Sequence, residues 1–337
     1  MRRRIFRSWP ALFFAVMMAF MLSYGCVPST TPEPDTGSGC DEPSQPGPGP
    51  AGGPIGFAAV SANGLNTTTG GAGGTLVTVT SASALRDYIN RSGAYVIQVS
   101  GTIRIDSGMH RVASNKTIIG LGNNAVISGG GLNLSGVSNV IIRNIRFTNA
   151  DDDSINIQER SHHIWIDHCD FTNGYDGLVD IKRESSYITV SWNRFYNHGK
   201  TCLLGHSDSH TADRGHLKVT YHHNWFDGTG SRHPRVRFGH VHVFNNYYVG
   251  NDYGIASTMD AAVMVEGNYF LRVKDPCLVG YASSDPGNLV QRNNVFDNCG
   301  SSPQTRGTVA SFPYAYSVDN PRDIPSMVRN GAGVGKI

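Results

Sequence analysis

The sequence predicts an all-β fold, a parallel β-helix closed at its N-terminal end by a short helix. Three observations carry that expectation. An eight-residue segment recurs seven times, a polar and an aromatic residue are fixed near its end, and one short amphipathic stretch precedes all the copies.

The seven copies are Val140–Phe147, Ile164–Phe171, Ile188–Phe195, Val219–Phe226, Val241–Tyr248, Val263–Phe270 and Leu289–Phe296. Their starts lie 24, 24, 31, 22, 22 and 26 residues apart. Apolar residues at the first and third places have the period of two expected of a strand. A repeat of this length fits one solenoid turn of two or three strands, with successive turns pairing in parallel about 4.8 Å apart. Leucine-rich repeats have a similar period, but their Leu frame is absent, and a propeller blade needs a longer one.

The eighth place is aromatic in all seven copies, so rings in register are expected to stack along the core. The sixth place is Asn in five copies: Asn193, Asn224, Asn246, Asn268 and Asn294. Asn tolerates a left-handed turn, and its amide can bond the coil above or below, so both roles are expected of it. Ahead of the repeats, Ala84, Leu85, Tyr88 and Ile89 within Ser81 to Asn90 have helical spacing, with Ser81 or Ser83 as N-cap. This is the expected capping helix. Tyr95 to Val99 and Lys116 to Ile119 read as earlier strands.

Three regions follow from composition. Residues 1–25 carry Arg2, Arg3, Arg4 and Arg7 ahead of an apolar run from Ala11 to Leu22, the pattern of an export signal. Removing them moves the formal charge from +2 to −2, because four arginines and no acid are lost. Ser23-Tyr24-Gly25-Cys26 resembles a bacterial lipobox, with Ser23 where Leu is expected; lipid anchoring through Cys26 and simple release both fit. Residues 26–53 are rich in Pro, Gly, Ser and Thr and read as a linker. Residues 54–337 form the body. The expected location is secreted, where disulfides are possible; Cys277 and Cys299 are a candidate pair, which spacing alone does not prove. Near-zero charge gives no signal for nucleic acid. No pattern calls for an organic cofactor or for zinc. A solenoid core closes on itself, so a monomer is expected.

The repeat also phases the charges. Asp153, Asp176, Lys200 and Arg232 lie 13, 12, 12 and 13 residues past the starts of four successive copies. Asp180 and Arg235 share a second phase, 16 residues on, with Arg237 two further and Asp151 beside Asp153. One edge of the solenoid should therefore carry carboxylates, then Lys, then Arg, over roughly 15 Å. Carboxylates without His or Cys suit a hard cation such as Ca²⁺. Arg binds carboxylates in a planar, two-pronged way. Turn charges also occur merely as solvated or cross-paired side chains, and Asp151-Asp152-Asp153 fits a polar loop as well. The shared phase over four coils favours function.

At these residues the chain resembles the polysaccharide lyase family 1 pectate lyases. The resemblance runs from about Gly56 to Phe296. It is carried by Gly70-Gly-Ala-Gly-Gly74 with Thr75 to Thr80, Trp165-Ile-Asp-His168, Asp176-Gly-Leu-Val-Asp-Ile-Lys182, Val190-Ser-Trp-Asn193, Lys200-Thr-Cys-Leu-Leu-Gly205, Val219-Thr-Tyr-His-His-Asn224 and Arg232-His-Pro-Arg-Val-Arg-Phe-Gly239. It implies a right-handed β-helix that cleaves α-1,4-linked polygalacturonate by calcium-dependent β-elimination, leaving 4,5-unsaturated oligogalacturonides. By position it makes Asp153, Asp176 and Asp180 calcium ligands, with Asp151 supporting an additional ion. Asp176 stands where the family commonly has Glu. Lys200 and Arg237 match substrate-binding residues, with Arg235 beside them, and Arg232 matches the Brønsted base.

Three rivals are weighed. A pectin lyase would replace the calcium carboxylates, which Asp153, Asp176 and Asp180 argue against. A polygalacturonase would use grouped Asp as acid and base, but its Arg-Ile-Lys landmark is missing. A β-helical adhesin or binding stalk would bind without cutting.

Overall fold

The structure is a computed structural model and describes residues 52–337. The export segment, Cys26, Cys40 and nearly all of the linker lie outside the described residues. Within them the chain winds as a right-handed parallel β-helix with three parallel sheets of ten, nine and eight strands. Each coil contributes one strand to each sheet in turn. In one coil these are His162–Asp167, Asp170–Thr172 and Val179–Ile181.

The repeat frame is the pairing register. Val140, Ile164, Ile188, Val219, Val241, Val263 and Leu289 follow one another as direct partners across the ten-stranded sheet. All seven are fully buried. Inward apolar rows of this kind hold a parallel sheet, whose core face must be dry.

The eighth-place aromatics form the matching row of the nine-stranded sheet. From Phe147 through Phe171, Phe195, Phe226, Tyr248 and Phe270 to Phe296, neighbouring rings stack with centroids 4.4 to 5.2 Å apart. This spacing is set by the strand separation, so the stack follows directly from register.

The sixth-place Asn residues divide the two roles expected of them. Their amides link the coils: Nδ2 of Asn193, Asn224, Asn246 and Asn268 each donates to Oδ1 of the next Asn, at 3.0 to 3.1 Å. The left-handed backbone belongs instead to the fifth place. It falls at Asn144, His168, Trp192, His223, Asn245, Gly267 and Asn293, with φ between 46° and 64°. The turn therefore precedes the buried amide, leaving Asn free to pair in the interior.

The N-terminal end is covered. Helix Ala82–Asn90 is capped by Ser81, whose Oγ accepts from the Ala84 amide at 3.3 Å, and it buries Leu85 and Ile89. A second helix, Ile324–Gly331, was not anticipated; it lays Ile324 and Val328 against Tyr247 on the outside of the nine-stranded sheet. Ahead of it Phe312 and Tyr314 pack on His242 and Phe57. Among the described residues Cys169, Cys202, Cys277 and Cys299 form no disulfide, so Cys277 and Cys299 do not pair with each other.

Candidate active site

The eight-stranded sheet presents the charged column. Asp153 precedes strand Ile155–Gln158, Asp176 precedes Val179–Ile181, and Asp180 lies within the latter. Lys200 pairs with Ser231 through an isolated bridge, which places Arg232 at the entry to strand Arg235–Arg237. The register aligns Asn156 with Asp180, Ile181 with Leu204, and Leu203 with Arg235. Asp180 and Arg235 therefore occupy one outward row, as their shared phase predicts. Val236 between the arginines points into the core, so Arg235 and Arg237 share the outward face.

The carboxylates converge. Oxygens of Asp152, Asp153 and Asp176 all lie within 4.8 Å of one another. Asp153 and Asp180 are buried, and Oδ1 of each lies within 2.7 Å of the point where a Cβ would sit on Gly177. Glycine is the residue that leaves both oxygens room. The Gly177 amide donates to Asp153 at 2.9 Å and the Leu203 amide to Asp180 at 3.0 Å. Burial, followed by the neighbouring Asp153 charge, pushes Asp180 up to about 7. Burial likewise raises Asp153, against the pull of Lys182 at 3.7 Å. Asp176 is held low by the Lys200 ammonium, 2.6 Å away.

Two buried carboxylates that repel each other, beside a third within reach, form an arrangement that a hard divalent cation would relieve. All the donors are oxygens, and among the described residues no thiol or imidazole joins them. The residues present fit Ca²⁺.

The cationic half continues the column. Arg232 has a left-handed backbone, φ 68°, and its carbonyl accepts from the Cys202 amide at 2.7 Å and from the Thr201 hydroxyl. Its Nη1 is buried, lies 4.0 Å from Asp180 and has no hydrogen-bond partner among the described residues. Arg235 Nε is also buried without a partner among the described residues, while its Nη2 donates to Ser284 at 2.9 Å. Arg237 donates to Asp208 at 2.5 Å and to the Gly205 carbonyl at 3.2 Å. Unpaired guanidinium donors on a face rich in positive charge suit an anionic ligand.

The structure thus brings together Asp153, Asp176, Asp180, Lys200 and Arg232, with Arg235 and Arg237 alongside. It turns Asp151 elsewhere: that carboxylate accepts from the Gly108 amide at 2.8 Å and from the Ser107 hydroxyl, which holds it below the usual range. Asp152 takes the place beside Asp153. Asp152, Lys182 and Asp208 were missed. Lys182 carried a signal, since it lies two residues past Asp180 on the same outward face. Asp208, on an excursion between strands, carried none.

The sequence profile of the pectate lyase family matches residues 49–337. A pectate trisaccharide-lyase of Thermotoga maritima is 42% identical, over 84% of this chain and 89% of its own length. The pectate trisaccharide-lyase of Bacillus licheniformis is 39% identical, over 84% and 86%. Among solved structures, a Bacillus pectate lyase in complex with trigalacturonate superposes with a TM-score of 0.77 at 35% identity, covering 84% of this chain and 99% of its own. Pectate lyase II of Xanthomonas campestris gives 0.71 at 26%, covering 84% and 99%. The chain is a polysaccharide lyase and belongs to the pectate lyase family.

Proposed function

We propose that this chain cleaves α-1,4-linked polygalacturonate by calcium-dependent β-elimination, with Arg232 as base. The carrying observation is the charged edge on which Asp153 and Asp176 are followed by Lys200 and then Arg232 over successive coils, with Asp180 in the adjoining row. The trigalacturonate held by the Bacillus neighbour and the activity named for the two trisaccharide-lyases support this substrate and a short product.

Asp152, Asp153, Asp176 and Asp180 would hold Ca²⁺. When bound, the ion would draw electron density from a substrate carboxylate and so make the adjacent C5–H more acidic. Lys200, half-exposed, exchanges its bond to Asp176 for that carboxylate. Arg235 and Arg237 orient a neighbouring uronate. Arg232 takes the C5 proton, the C4–O bond breaks, and a C4=C5 double bond forms. The departing oxygen takes up a proton and becomes the new reducing end. A guanidinium ordinarily keeps its proton, so an alkaline optimum is expected. The basic and apolar start of residues 1–25 supports export.

The test is ultraviolet absorbance during incubation with de-esterified polygalacturonate, first with Ca²⁺ and then with chelator. A rise that chelator abolishes supports the reading. New reducing ends without absorbance would indicate hydrolysis.

A further inference from the structure

Two excursions from the β-helix meet over the arginine strand. The first runs from Gly205 to His216, between strands Leu203–Leu204 and Lys218–His222. The second follows strand Asp275–Val279 and returns at Asn288. They join through one hydroxyl. Ser284 Oγ donates to Asp208, with its two carboxylate oxygens 2.7 and 2.9 Å away, and accepts from Arg235 Nη2 at 2.9 Å. Asp208 is in turn held by Arg237.

The second excursion is fixed along its length. Tyr281 lies beside Tyr253, ring centroids 4.6 Å apart, and the Arg235 guanidinium sits 5.1 Å from the Tyr281 ring. Tyr281 bridges Ser284, and Pro286 bridges Thr258. The segment therefore lies against strand Tyr253–Thr258, the coil after that of Arg232. Ala256 continues the outward row of Asp180 and Arg235, but it is apolar and fully buried. The charged row stops where the segment begins. From the coil of Asp153 to that of Arg232 are three steps, about 14 Å, the length of a few sugar rings.

We propose that the Asp208–Ser284 contact is a latch that holds residues 280–287 across the C-terminal end of the substrate groove and so sets the length of the oligogalacturonide bound there. This rests on the pectate reading of the site. Asp208 and Ser284 act as positioning residues: they fix the wall and the two guanidiniums, and neither touches the reacting atoms. Cutting the latch frees the wall and lets further uronate residues extend past Arg235.

The experiment compares the parent chain with Ser284→Ala, Asp208→Ala and Asp208→Asn, the last keeping side-chain shape if Ala unfolds the excursion. Products from hexagalacturonate are resolved by anion-exchange chromatography, and kcat/KM is measured on trimer and hexamer. The parent should release one dominant short product. The variants should spread to longer products, with the hexamer-to-trimer kcat/KM ratio rising about fivefold, the worth of one additional hydrogen-bonded sugar. A parent-like product pattern and ratio in folded variants would overturn the latch alone. Absence of any unsaturated product from the parent would overturn the pectate reading and the latch with it.

Discussion

Arg232 Nη1 stops 4.0 Å from the Asp180 carboxylate, close enough for charge attraction and too far for a hydrogen bond. Asp180 is buried and accepts from Leu203, while Nη1 of Arg232 keeps its donor free. As the proposed base Arg232 is best left uncommitted, and this separation leaves it so. Arg232→Ala should lower kcat by about a hundredfold to ten-thousandfold, the usual worth of a positioned general base. Thermal unfolding should change little. Near-parent kcat in Arg232→Lys would speak against the assigned role.

Calcium binding should depend on pH through Asp153 and Asp180. An unfolded Asp loses its proton near pH 4, whereas folded Asp180 without a cation does so at about 7. Between these values the folded form holds the extra proton, so the stability of the calcium-free protein falls as pH rises across that window. Protons compete with the cation, so the Kd for Ca²⁺ should rise by about tenfold per pH unit below 7 for each proton displaced. Calorimetry at several pH values checks this; a Kd independent of pH between 5 and 8 would contradict it.

Gly177→Ala places a methyl within 2.7 Å of oxygens from both Asp153 and Asp180. The two carboxylates would have to separate. We expect Ca²⁺ binding to be lost while the circular dichroism of the β-helix is kept. Unaltered affinity would show that these oxygens do not hold the ion.

Phe171 sits mid-stack, with neighbours 5.2 and 5.1 Å away and no exposed surface. Phe171→Ala should cost about 3–5 kcal/mol in denaturant unfolding. A smaller loss would mean that the coils close over the gap.

The sequence revealed the fold where side chains repeat in register, and the site where charge follows that register. First-place Val and Ile, eighth-place aromatics and the capping helix Ala82–Asn90 lie where the repeat and the helical spacing put them. Turns were harder, because one residue there reverses a side chain. The left-handed residue proved to be Trp192 or His223 rather than the Asn that follows. By the same slip Asp152 faces Asp176 while Asp151 turns to Gly108. After Phe296 the frame ends, and nothing periodic marked helix Ile324–Gly331, only eight residues long. The partnership of Asp208 and Ser284 spans 76 residues and two excursions, and no local pattern encodes such a contact.

The most direct measurement is the mass of the products released from polygalacturonate with Ca²⁺ present. Elimination leaves the new non-reducing end one water lighter than hydrolysis would. Calcium-dependent elimination should yield oligogalacturonides carrying that deficit, and none when chelator is added. Products with fully hydrated ends would contradict it.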